Sequence, residues 1–352
     1  MDAALDPRLA LLNPWQHGFP LCAAPYAEIG RALDWDEALV LDRLRALQAE
    51  GALSRIGGVF AAASGGAGLL AAMAVPAHRL DPVAATVSAH PAVNHNYERE
   101  HALNLWFVVN GRDAESVERS VAALEQATGL PALRLRMVRP YRIDLGFDLR
   151  RDAGSGRAAG PQRRGVPVAD ADRPLAALVE DGLPLLPRPF HAWAEALGRP
   201  VDTVLATLQR WLDQGTLRRF GVVVRHHELG IAANAMAVFD VPDAQVDACG
   251  AALAREGAVT LAYRRERAPG WPYNLFCMVH GRSRAAVRAA LAELVPRCGL
   301  AEQPQAVLFS LRRFKQEGAR RFRDTGDSGT LGGSGHGGPA ASAPTELCDA
   351  PV

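Results

Sequence analysis

The chain is two copies of one unit, and this constrains its fold more than any other feature. Gly51-Ala-Leu-Ser-Arg-Ile-Gly57 returns 164 residues later as Gly215-Thr-Leu-Arg-Arg-Phe-Gly221. Pro20-Leu21, Pro25-Tyr26 and Leu33 return as Pro184-Leu185, Pro189-Phe190 and Leu197 at the same offset of 164. Val75-Pro76 and Ala92-Val93 with Tyr97 return at offset 166, and Asn104-Leu105 at offset 170. A fixed order with small gains in offset is the mark of a duplicated fold with loop insertions. At 352 residues, each copy is long enough for more than one small domain.

Each copy reads as two parts. In the first, Leu39, Val40, Leu44 and Leu47 fall on one helical stripe that Gly51 stops, and SRIGGVF follows as a strand. Val204, Leu208, Trp211 and Gly215 repeat this. Helix, turn, helix and strand predict a winged helix-turn-helix. The second part reads strand, helix, strand, strand, helix, strand, the order of a ferredoxin-like βαββαβ sheet. The expected fold class is therefore α+β. Winged helix-turn-helix domains are expected at residues 18–60 and 182–225, with ferredoxin-like domains at 68–147 and 232–322. Residues 148–174, rich in Gly, Ala, Arg and Pro, read as a linker, and 324–352 as a low-complexity, disordered tail.

A winged helix followed by a ferredoxin-like domain resembles the Lrp/AsnC transcription regulators, so a ligand-sensing regulator is the competing reading of function. Charge argues against it. Residues 20–50 hold six acids and three arginines, and the second helix there opens Asp34-Trp35-Asp36-Glu37. Phosphate contacts dominate DNA affinity and need cations at that place. The net charge of the whole chain is only +1, so no general basic field supplies them. Specific DNA is not an expected partner. Apolar runs are too short for a membrane helix, and the acid-bearing start is unlike a secretory signal. Five cysteines without a CxxC pair suit a reducing compartment. The expected location is the cytoplasm, with no membrane partner.

Three segments are too polar and aromatic to be plain sheet. They are Asn94-His95-Asn96-Tyr97-Glu98-Arg99-Glu100 ahead of Asn104-Leu105-Trp106-Phe107, Arg225-His226-His227-Glu228-Leu229-Gly230, and Trp271-Pro272-Tyr273-Asn274-Leu275-Phe276. Together they resemble the siroheme decarboxylases of haem d1 biosynthesis, which are Lrp/AsnC-like in fold and whose two related subunits can be fused. The resemblance spans about residues 18–322. It implies a carboxy-lyase that takes two acetate carboxyl groups from siroheme, giving 12,18-didecarboxysiroheme and two CO₂. It implies no added cofactor, with the iron-containing siroheme as substrate. Siroheme is the expected partner, together with related decarboxylase subunits of the same pathway.

The residue types suit that chemistry. Of 39 basic residues, 38 are arginine, whose planar fork binds carboxylates through paired hydrogen bonds. Arg219, Arg225, Arg99 and Arg265 are candidate substrate-binding residues. So are Tyr97, Tyr263, Trp271, Tyr273 and Asn274, the aromatic ones offering flat apolar area. His226, His227 and His95 are the candidate proton donors. No dedicated metal site is expected, and His226 or His227 is the candidate for contact with the substrate's iron. The copies differ: Ala61-Ala62-Ala63 stands where the second copy has Arg225-His226-His227, and Leu261 stands where the first has His95. One productive pocket, built mainly on the second copy, is expected. The two ferredoxin-like sheets are expected to pair face to face as an internal pseudo-dimer, with further oligomerisation open.

Overall fold

The computed structural model describes residues 7–143, 165–224 and 233–323. The first copy contributes α1 (Pro7–Leu12), α2 (Pro25–Leu33), α3 (Glu37–Ala49) and β1 (Leu53–Phe60). It continues with β2 (Ala67–Met73), α4 (Leu80–Ala89), β3 (Val93–Arg99), β4 (Leu105–Gly111), α5 (Ala114–Thr128) and β5 (Leu133–Ile143). The second copy repeats this order with α6 (Arg173–Asp181), α7 (Pro189–Leu197), α8 (Val201–Gln214) and β6 (Leu217–Val224). It ends with β7 (Ala233–Phe239), α9 (Val246–Leu253), β8 (Val259–Arg265), β9 (Leu275–Gly281), α10 (Arg284–Arg297) and β10 (Gln305–Gln316).

Local signals account for the helix limits. Pro25 and Pro189 open α2 and α7, where the missing N–H costs nothing. Gly51 and Gly215 take positive φ after α3 and α8. Asp113 and Ser116 close a capping box on α5. On α3 the buried stripe is Val40, Leu41, Leu44 and Leu47, whereas Leu39 is 41% exposed. Leu39 and Leu41 lie on opposite sides of the helix, and the face carrying Leu41 enters the core shared with the other copy.

That packing is a single core. Leu11, Tyr26 and Leu44 of the first copy share it with Leu175, Phe190 and Trp211 of the second. Two helices are absent from the sequence reading. α1 precedes residue 18, and α6 overlaps the stretch read as linker. Leu175, Ala176 and Val179 bury one face of α6, so residues from Val168 onward belong to the folded body. No described helix is long and apolar enough to cross a membrane.

The strands that follow the helices do not form separate wings. β1 and β6 pair with each other as a two-stranded antiparallel ribbon, with Gly57 opposite Gly221. The remaining eight strands close into one barrel, in the order β10-β3-β4-β2-β5-β8-β9-β7. The halves join edge to edge, β5 to β8 and β10 to β3, rather than face to face as expected. An open four-stranded sheet leaves two edges of unpaired N–H and C=O groups, and each half satisfies the other's. Outward-facing residues pack under α4 and α5 on one side and α9 and α10 on the other. Inward-facing Ala72, Val238, Phe276 and Trp271 fill one end of the barrel. Eight strands leave an interior that side chains just fill or that holds one small ligand.

Candidate active site

The other end of the barrel is hollow. A cavity of about 660 Å³ begins above Leu70, Trp106, Met236 and Met278 and runs past Asn110, Asn234 and His280 to the β1–β6 ribbon. Ligand sites commonly have this size. Residues 316–319, Arg321 and Glu180 of α6 complete the wall at the ribbon.

Strand alternation decides which polar side chains enter it. On β3, His95, Tyr97 and Arg99 face inward, as do Leu261, Tyr263 and Arg265 at the same register on β8. The two triplets are related by the duplication. Each arginine stacks on its own tyrosine, with Arg99 Cζ 5.6 Å from the Tyr97 ring centre and Arg265 Cζ 4.5 Å from that of Tyr263. Each also stitches a seam of the barrel. Arg99 donates to the Leu308 carbonyl on β10 at 3.1 Å, and Arg265 to the Leu135 carbonyl on β5 at 2.7 Å. Burial depresses both guanidinium pKa values, that of Arg99 to about 10. Both guanidinium groups line the cavity, and Nε of Arg265 is buried without a hydrogen bond.

His95 lies parallel to Tyr97, ring centres 6.1 Å apart. Burial, reinforced by Arg55 and Arg99, lowers its pKa to about 4. The imidazole is therefore neutral at pH 7. His280 on β9 was not singled out from the sequence. Its Nδ1 lies 3.0 Å from the Thr260 hydroxyl. At the related register of the first half, Asn110 donates to Asn94 at 2.6 Å. Among the described residues, the two halves thus give the cavity one histidine each, at different positions. The only sequence signal for His280 was its place two residues beyond an inward-facing methionine on a strand.

Other expected site residues are placed elsewhere. Arg219 is buried and donates to the carbonyls of Gln16 at 2.9 Å and Val222 at 2.8 Å. Its counterpart Arg55, on the other side of the Gly57–Gly221 centre, reaches the cavity instead. Asn274 is outside the lining. Its side chain binds both backbone groups of Val241 at 2.9 Å, as Asn104 does for Val75 in the first half. Trp271 packs on Trp106 and Tyr273, with centres 5.1 and 5.0 Å away, in the filled end of the barrel. Tyr273 is likewise absent from the lining. Arg225, His226 and His227 lie outside the described residues. Among the described residues, then, both halves build the wall, and the second copy does not dominate it.

The described cavity can bind a flat, partly apolar anion. Leu70, Trp106, Val108, Met236, Leu261 and Met278 supply apolar area, while Arg55, Arg99, Arg136, Arg265 and Arg321 supply cationic donors. Comparison with known proteins agrees. Residues 64–142 and 228–315 match an AsnC-like ligand binding domain, and 9–53 and 172–218 match a siroheme decarboxylase NirDL-like HTH domain. A siroheme decarboxylase NirDL subunit of Paracoccus pantotrophus is 43% identical over 319 residues, 89% of this chain and 97% of its own length. The siroheme decarboxylase NirL subunit of Stutzerimonas stutzeri is 50% identical over 147 residues, 42% of this chain and 86% of its own. The crystal structure of the siroheme decarboxylase NirDL in complex with an iron-uroporphyrin III analogue superposes with a TM-score of 0.62 at 26% identity, covering 88% of this chain and 92% of that one. The chain belongs to the siroheme decarboxylase NirDL family.

Proposed function

We propose that the chain decarboxylates siroheme, removing two acetate carboxyl groups to give 12,18-didecarboxysiroheme and two CO₂. The observation that carries this reading is the arginine-rich, apolar-walled cavity enclosed by both halves in a member of this family. In each step a ring-bound acetate, –CH₂–COO⁻, loses CO₂. The electron pair of the broken bond passes into the conjugated macrocycle, and a proton then completes the methyl group. The protein's tasks are to hold the ring against the apolar wall, to hold the carboxylates on the arginines, and to deliver one proton per carbon. No further cofactor enters this scheme.

His95 suits the last task in a substrate-dependent way. Its pKa is low because burial and two guanidinium groups disfavour a further positive charge. A polycarboxylate seated on Arg55 and Arg99 cancels that repulsion and raises the affinity of His95 for a proton. His226 and His227 remain candidate donors or iron contacts, with Arg225 beside them. In this reading the two halves form an internal pseudo-dimer of winged-helix and ferredoxin-like units, and separately encoded subunits are candidate partners. Anaerobic incubation of the purified protein with siroheme tests the proposal by mass analysis of the tetrapyrrole. Loss of two CO₂ by way of a singly decarboxylated intermediate supports it. Unchanged siroheme, with companion subunits also supplied, refutes it and returns the regulator reading to first place.

A further inference from the structure

Three segments far apart in the chain converge where the cavity meets the ribbon: Arg55 of β1, Glu180 of α6, and Arg321 just after β10. Glu180 is 5% exposed. Its Oε2 accepts the backbone N–H groups of Arg321 at 2.8 Å and Phe322 at 3.1 Å. Its Oε1 has no hydrogen bond and lies 4.0 Å from Nε of Arg321. The Nε groups of Arg55 and Arg321 are also buried without a partner. What the guanidinium groups do donate is weak. Arg55 reaches the Gly58 carbonyl at 3.3 Å, and Arg321 those of Ala61 and Phe60 at 3.4 and 3.5 Å.

Two guanidinium groups here face one carboxylate. A guanidinium carries five N–H donors, so donor capacity and one positive charge are left over in a buried place. Such an excess is costly unless an anion completes it. The neighbouring charges do not supply one. Asp181, which also acts on Arg55, is ion-paired with Arg323, and Arg320 adds to the positive side. Glu317, on the cavity wall, pairs with Lys315 at 3.8 Å. The frame around the cluster is firm, with the Phe322 ring 4.7 Å from Phe60 and under Arg173 at 5.7 Å.

We propose that Arg55 and Arg321 form a carboxylate subsite that takes one acidic side chain of the tetrapyrrole, and that Glu180 is its resident competitor, which gives up the guanidinium groups when the substrate arrives. The inference rests on the substrate reading above. It makes binding depend on pH with a definite sign. Burial pushes the Glu180 carboxyl up to about 7, against the opposing pull of Arg321 and Arg55. Above that pH the ionised carboxylate holds the arginines against the substrate. Below it, the protonated acid leaves them free.

The test uses the full-length protein, siroheme titration followed by absorbance, and KM and kcat from pH 6 to pH 8. Wild-type KM is expected to rise with pH. Glu180→Gln keeps an oxygen for the two backbone donors and removes the charge. Its KM should lose the share of the pH dependence that Glu180 supplies, keeping only a shallower rise from proton uptake at His95, and at pH 8 lie about tenfold below wild type, the scale of one charge-assisted hydrogen bond. Arg321→Met should raise KM by about tenfold or more with kcat near wild type, a split that mere loss of structure would not produce. If Arg321→Met does not fold, the Glu180→Gln pH profile decides alone. A Glu180→Gln enzyme that keeps the wild-type pH slope, or a folded Arg321→Met enzyme with unchanged KM, overturns the subsite while leaving the decarboxylase reading intact. A wild-type protein that neither binds nor converts siroheme defeats the substrate reading itself, and the subsite with it.

Discussion

At the scale of single residues, the structure separates groups that look alike in the sequence. His95 and Asn274 both sit in distinctive polar segments, yet one faces the cavity and the other clamps the backbone. His95→Gln is expected to lower siroheme turnover by about 10²–10⁴-fold with siroheme binding retained, the usual cost of a lost proton donor. His78→Ala is the control and should leave turnover unchanged. His95→Gln should also change stability with pH. The native pKa of His95, about 4, lies below the value near 6.5 of an unfolded chain. Below pH 6.5 the unfolded state takes up a proton that the native state refuses, so the wild type loses stability as pH falls toward 4. His95→Gln escapes this loss, and denaturant titrations should show its advantage growing to roughly 3 kcal/mol at pH 4. Asn274→Ala should behave in the opposite way. It strands the N–H of Val241, whereas the Val241 carbonyl keeps the hydrogen bond from Arg267 at 2.8 Å, so the cost is about 2 kcal/mol in unfolding free energy, while the KM of the folded fraction stays near wild type.

At the scale of elements, the β1–β6 ribbon is the part least visible in the sequence. Each strand alone reads as the wing of its own domain, and nothing local says that its partner is 164 residues away. Two glycines record how closely other segments cover the ribbon. A Cβ on Gly57 would meet the Val179 carbonyl oxygen at 2.7 Å, and one on Gly221 the Trp15 oxygen at 2.2 Å. Both neighbours are backbone and cannot turn aside, so the close approach needs glycine. Gly221→Val should therefore lower the melting temperature. It should also displace the segment at Trp15–Gln16 that accepts from Arg219, which amide hydrogen exchange of that segment would register. A melting curve unchanged from wild type would mean that the ribbon tolerates a different register.

At the scale of the whole molecule, barrel closure makes the halves depend on each other. β3, β5, β8 and β10 are edges in a separated half and interior strands in the closed barrel, and the helices of both copies share one core. A half alone therefore exposes two strand edges and a split apolar face, and should self-associate or aggregate. A chain cut between residues 148 and 164, by contrast, should hold together. Its two fragments are expected to co-elute in gel filtration and to keep turnover close to that of the intact protein. Separation of the fragments under native conditions would show that the connection, and not the seams, holds the halves.

The sequence by itself determined the duplication, the order of strands and helices apart from α1 and α6, and the polar strand carrying His95, Tyr97 and Arg99. These depend on periods of two and of three to four residues, which reach only to near neighbours. Tertiary structure alone decided that the four-stranded sheets close edge to edge, that Arg55 and not Arg219 reaches the cavity, and that His280 joins His95 there while Trp271, Tyr273 and Asn274 stay in the frame. Local pattern says that a side chain leaves one face of a strand. Which face becomes the inside of a barrel, and which arginine finds a carbonyl before it finds the cavity, is set by pairing between edges more than 100 residues apart, as between Arg99 and Ser310.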